Sequence, residues 1–129
     1  DFTLTNPIGV NVNLSDNPFE FKILHFSKRD CTRCNLDTYF LTKPQNASVY
    51  NILLNTSKNE LSSYYKSVKP SFTPLILSEK DKLSIPKQLN INSNVPTVFV
   101  LDKNNDILAK NITIEQAFDY INRLTKNNN

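Results

Sequence analysis

The stretch HFSKRDCTRCN, residues 25–35, holds both cysteines of the chain, Cys31 and Cys34, in a C-x-x-C spacing. Taken alone, a pair that close is a redox couple, half of a metal site or an accident of composition. The neighbouring residues have to choose. Just before it, FEFKILHF (19–26) is a short, mostly apolar run that stops at polar SKRD, the pattern of a buried strand. Just after it, the reading is a helix that opens at the cysteines, runs to about Leu41 and ends before Pro44.

Composition narrows the choice. Two ligands cannot complete a structural zinc site, which takes four, and His25 is the only histidine, so a mixed site would have to draw on carboxylates. Neither a metal nor a cofactor is expected. Two cysteines cannot build a disulfide framework, and 129 residues suffice for one core without one, so residues 1–129 are read as a single domain. No apolar run approaches the roughly 18 residues of a membrane span. The net charge of +3 comes from scattered lysines rather than a clustered basic face, and no nucleic-acid partner is expected. The chain contains no methionine, which leads to the expectation that a segment upstream of residue 1 has been removed. Asn and Lys abound while Gly9 is the only glycine, so the sequons Asn46-Ala47-Ser48 and Asn55-Thr56-Ser57 are read as products of composition.

Along the chain, residues 1–18 alternate apolar and polar positions (Phe2, Leu4, then Val10, Val12, Leu14) around the turn signal NPIG, which predicts an N-terminal β-hairpin. SVYNILLN (48–55) is a second buried strand. In SKNELSSYYKSV (57–68), Leu61, Tyr64, Tyr65 and Val68 fall at helical spacing, and Ser57 followed by Glu60 makes a capping box. TPLIL (73–77) is a short strand, and KDKLSIPKQLNI (80–91) a helical or irregular segment. PTVFVLDKNNDILAKNI (96–112) reads as a hairpin turning at DKNND. TIEQAFDYINRL (113–124) is a final helix with Thr113 as N-cap and Ile114, Ala117, Phe118, Ile121 and Leu124 on one face. Residues 125–129 are read as a frayed tail. The order is α/β, with a mixed sheet covered by crossover helices.

A C-x-x-C pair between a buried strand and a helix in an α/β chain is the setting of a redox couple. At a helix N-terminus the Cys31 thiolate would be stabilised by free backbone N–H groups and the dipole, with Cys34 one turn on, close enough to resolve a mixed disulfide. FKILHFSKRDCTRC (21–34) resembles the strand and active site of thioredoxins, and NVPTVFVLDKNNDIL (94–108) resembles the family's later segment. There a proline with a cis peptide bond stands beside the disulfide and leads into an antiparallel hairpin. The resemblance implies that Pro96 is that proline, with Val95 and Thr97 shaping a substrate groove. Cys34 and Pro96 lie 62 positions apart, a surplus over plain thioredoxins that is similar to the extra strand–helix unit of the redoxin or TlpA-like branch. The opening hairpin resembles that branch too. The implied fold is a thioredoxin-like three-layer α/β sandwich.

The chain departs from the family pattern at Asp30, where a tryptophan is usual, and at Thr32-Arg33, where the centre is usually Gly-Pro or x-Pro. The peroxiredoxin pattern is absent, and the C-x-x-x-C and late histidine of copper-delivery relatives are absent as well. His25, six positions before Cys31, stands where the family carries a buried acid, Glu or Asn. It is read either as a proton acceptor for Cys34 or as a core histidine satisfied by backbone. The Arg33 charge would favour the thiolate and make the couple more oxidising than thioredoxin at about −270 mV, with Asp30 opposing it. Tyr39, Phe40, Tyr64 and Tyr65 are read as core packing.

The resemblance implies a thiol:disulfide oxidoreductase working outside the cytoplasm, in the periplasm or on the outer face of a membrane, tethered through a segment upstream of residue 1. Its implied partners are client proteins with cysteines, apocytochromes c among them, and a membrane-bound or soluble thiol redox partner. A monomer is expected. The competing reading is a binding or scaffold protein that keeps the fold without turnover, for which Asp30 and Thr32-Arg33 speak.

Overall fold

In the computed structural model, residues 3–91 and 95–127 are described. Alternation in the first eighteen residues produces a hairpin of β1 (Thr3–Thr5) and β2 (Asn11–Asn13), in which Leu4 stands opposite Val12. Gly9, at φ +86°, takes the left-handed turn conformation that a residue without a Cβ adopts freely. Phe2, read as part of this hairpin, lies outside the described residues.

The run around FKILHFS forms β3 (Phe21–Ser27), buried at every position, and the second apolar run forms β4 (Ala47–Leu53), parallel to it with His25 opposite Asn51. The capping box at Ser57 and Glu60 starts α1 (Lys58–Val68), and β5 (Pro74–Leu77) follows, parallel to β4. The segment 80–91 yields a short helix, α2 (Ser84–Gln88). The last hairpin is β6 (Thr97–Asp102) and β7 (Ile107–Ile112), with β6 antiparallel to β3. The seven strands form one mixed sheet in the order β2-β1-β5-β4-β3-β6-β7, with β3 near its middle.

Period-two alternation sends β3 and β4 side chains to two different cores. Leu24 and Phe26 face one with Tyr50, Ile52 and Phe99, closed by Ile85 of α2 and by Leu4 and Leu14 near the amino end. Phe21 and Ile23 face the other with Ala47, Val98 and Val100, closed by α3 (Ile114–Asn127) through Ala117, Phe118 and Ile121. This gives three layers, with α1 covering Leu53 and Ile76 on the α3 side. Lys22 is fully buried in β3, and its ammonium end donates to Asn105 Oδ1 (2.6 Å) in the β6–β7 turn. Burial pushes its pKa down, with Asp102 opposing.

Three expectations need correction. The helix after the cysteines does not form; Thr32–Cys34 and Asp37–Tyr39 are separate 3-10 turns. Between them Asn35 is extended (φ −70°, ψ 123°), and its side-chain oxygen accepts the Asp37 N–H at 2.9 Å. Such local bonding competes with helical bonding, and Thr32, Asn35, Asp37 and Thr38 are weak helix formers. The segment also lacks an apolar stripe: Leu36 is buried, but Phe40 is 48% and Leu41 92% exposed. Second, the tail is helical through Asn127, tied down by a Thr125 hydroxyl that donates to Ile121 O and accepts from Asn46 Nδ2. Residues 128 and 129 lie outside the described residues. Third, Tyr65 is exposed rather than a core residue, and Phe40 is 48% exposed although its ring packs edge-on against buried Phe72, as Tyr39 does against Phe118.

Candidate active site

Strand β3 delivers the chain to the site. After Ser27 the backbone turns, with the Cys31 N–H donating to Lys28 O (3.4 Å) and the Cys34 N–H donating to Cys31 O (3.2 Å). Cys31 and Cys34 form a disulfide whose Cα atoms are 5.3 Å apart. Cys31 is partly exposed, whereas Cys34 is 6% exposed. That asymmetry comes from the single 3-10 turn, which points the second sulphur inward. It does not come from a helix, so the expected stabilisation of Cys31 by a helix N-terminus has no structural basis here.

The Val95–Pro96 bond is cis, and Pro96 leads directly into β6, where Thr97 stands opposite Phe26 of β3. The turn carrying the cysteines and the proline loop are joined by Arg33, whose Nη2 donates to the Val95 carbonyl at 3.4 Å. Val95 is buried, Pro96 exposed and Thr97 half-buried. Asp30 and Thr32 are exposed on the rim. Their neighbour Arg29 pairs with Glu60 of α1 at 2.7 Å, a contact between exposed groups.

Two crevices of about 390 Å³ each border the cysteine turn, and the first of them is lined by the disulfide itself. The first, between the cysteine turn and α1, is walled by Cys31, Cys34, Ser27, Asn51, Tyr64 and Phe72 among others. The second, between the same turn and α3, is walled by His25, Arg33, Pro96, Tyr39 and Glu115 among others. The Tyr39 hydroxyl donates to Glu115 Oε1 at 2.7 Å across it, and this bond holds the tyrosine pKa up.

His25 is 2% exposed, and its Nδ1 lies 3.0 Å from Asn51 Oδ1. The same oxygen accepts from the buried Ser27 hydroxyl, also at 3.0 Å. Burial pushes the His25 pKa down; the Asn51 bond and a backbone hydrogen bond oppose this only in part. The imidazole is therefore neutral near pH 7. The reading of a core histidine satisfied by backbone holds in part: a backbone hydrogen bond is present, and beside it stands a side-chain partner 26 positions away. Asn51 and Ser27 were missed, although a lone amide inside the apolar run VYNILL is a signal: a polar group in a buried strand needs a partner.

No protein-family model matches the chain, and no curated protein matches it in sequence. Solved structures do match in shape. The thioredoxin domain of a thiol-disulfide oxidoreductase from Bacteroides vulgatus is 17% identical, with a TM-score of 0.74 over 95% of this chain and 91% of that one. A thiol:disulfide interchange protein from a Bacteroides species is 17% identical, with a TM-score of 0.75 over 95% and 84%. StoA from Bacillus subtilis is 18% identical, with a TM-score of 0.68 over 93% and 95%. At such identities the likeness shows the fold. The fold is thioredoxin-like, and it carries a C-x-x-C disulfide and a cis-proline loop bridged by Arg33.

Proposed function

We propose that this chain is a thiol:disulfide oxidoreductase in which Cys31 exchanges with client proteins and Cys34 resolves. The observation that carries the reading is the Cys31–Cys34 disulfide with Cys31 partly exposed and Cys34 buried, on a turn that Arg33 ties to the Val95 carbonyl. In the reducing direction the Cys31 thiolate attacks one sulphur of a client disulfide and forms a mixed disulfide. The other client sulphur leaves as a thiolate and takes up a proton. Cys34, deprotonated, then attacks the Cys31 sulphur, re-forms the internal disulfide and releases the second client thiol. Two electrons pass from the dithiol to the client; the reverse sequence oxidises it. Val95, Pro96 and Thr97 border the groove in which a client strand would lie, with Arg33 on one of its backbone acceptors.

The names of the structural neighbours support this chemistry, and an extracytoplasmic setting with exported, cysteine-bearing clients is part of the proposal. Apocytochromes c and a thiol redox partner fit it. Among the described residues no helix is long and apolar enough to cross a membrane. The missing helix behind Cys31 favours one rival, a scaffold that keeps the fold without turnover.

Trapping separates the two. Cys34→Ser should accumulate mixed disulfides through Cys31 with a cysteine-containing peptide disulfide, while Cys31→Ser traps almost nothing. If neither variant captures the peptide while the wild-type disulfide resists dithiothreitol, the scaffold reading holds instead.

A further inference from the structure

Strand β6 begins at Thr97, opposite Phe26 of β3, and pairs with β7 from Val98 onward. Val95 lies two positions before that strand, beyond both ladders. On the β3 side the chain has already turned away: the Ser27 carbonyl accepts the Leu54 N–H at 2.8 Å, and the cysteine turn follows. Pro96 has no N–H to offer. Among the described residues the Val95 carbonyl therefore has no backbone partner, although the residue is only 8% exposed. A buried carbonyl needs a donor.

The donor is a side chain from 62 positions earlier, Arg33, whose Nη2 reaches the Val95 oxygen at 3.4 Å, a long hydrogen bond. Arg33 is itself exposed. Among the described residues this is its only hydrogen bond, and it joins no ion pair. The acid that lines the same crevice, Glu115, accepts from the Tyr39 hydroxyl instead. A flexible side chain held by one long bond is easily dislodged, because release restores its rotamer freedom.

We infer that Arg33 is a specificity-determining latch: it covers the Val95 carbonyl in the disulfide form, and a client strand engages that carbonyl by displacing it. This rests on the oxidoreductase reading, in which Val95, Pro96 and Thr97 border the client groove. The latch distinguishes substrates by shape. An extended peptide brings backbone N–H groups and can put one in place of the guanidinium, so the buried oxygen stays paired. A small thiol that meets only the partly exposed Cys31 has no use for that oxygen and leaves the latch closed. Val95 offers little surface beside the guanidinium, so the two donors compete rather than share.

The test takes the oxidised whole chain and two dithiols, each in excess: a linear peptide carrying two cysteines, and dithiothreitol. Opening of the Cys31–Cys34 bond is followed by acid quench, alkylation and mass spectrometry. Arg33→Met keeps a flexible side chain on the exposed turn and removes every donor. Whatever the lost charge does at the sulphurs acts on both reductants, so the quantity read is the peptide rate divided by the dithiothreitol rate. In the variant that ratio should rise about three- to tenfold, the range that one hydrogen bond contributes. The gain should appear as a lower half-saturating peptide concentration. An unchanged ratio means that the client ignores the oxygen or shares it, and overturns the latch. A ratio that falls makes Arg33 a brace of the groove and overturns it as well. If dithiothreitol opens the disulfide in both proteins while the peptide opens it in neither, the oxidoreductase reading falls and the latch with it.

Discussion

Residues 31–41 and residues 114–127 both follow the end of a strand, both lie on the same face of the sheet and both contribute to one core, yet only the second winds into a helix. In α3, Ile114, Ala117, Phe118 and Ile121 repeat at helical spacing and are buried together with Leu36, Phe72 and Val98. Its entry is a reciprocal cap, with the Gln116 N–H donating to Thr113 Oγ1 (3.1 Å) and the Thr113 N–H to Gln116 Oε1 (2.9 Å). In the cysteine segment only Leu36 and Cys34 are buried, and the backbone is held by Asn35 onto Asp37 and by Asp37 onto the Ser71 N–H (2.9 Å). The difference teaches that a helix here depends on an apolar stripe that can be buried, and that a C-x-x-C pair without one settles into a turn.

The largest expected effect lies in α3. Ile121 is fully buried, so Ile121→Ala should destabilise the chain by about 2–5 kcal/mol in urea unfolding. A loss below about 1 kcal/mol would mean that the stripe is not what separates the two segments. Next comes the cap. Thr113→Ala removes one half of the reciprocal pair and should cost about 1 kcal/mol by the same measurement. The smallest effect belongs to the cysteine segment, where Asn35→Ala removes an exposed local bond and restores a good helix former. Stability should change by no more than about 0.5 kcal/mol, with far-ultraviolet circular dichroism showing at most a small gain in helix. If Asn35→Ala instead costs as much as Thr113→Ala, the turn is an anchored element in its own right and the contrast with α3 narrows.

The strands, the N-terminal hairpin, α1 with its capping box and α3 were all legible, because each rests on local patterning: alternation, a capping pair, or a stripe at helical spacing. The cysteine segment was not, because the family resemblance supplied a helix where the residues themselves are Thr, Asn and Asp. Within the site, the C-x-x-C pair and Pro96 could be read from spacing and resemblance, and the cis bond is present. Asn51 could not, since its meaning depends on standing opposite His25 across a parallel strand pair.

By itself, then, the sequence determined the alternation of strands and helices, the identity of the two sulphurs and the buried character of the strand that carries His25, all properties of neighbouring residues along the chain. Only the tertiary structure decided that the sulphurs sit on a turn rather than a helix, that Arg33 reaches the Val95 carbonyl, and that His25, Ser27 and Asn51 share one oxygen. The reason is physical. A turn wins when no stripe can be buried, and a buried amide finds its partner through the register of strands far apart in sequence, neither of which a local pattern encodes.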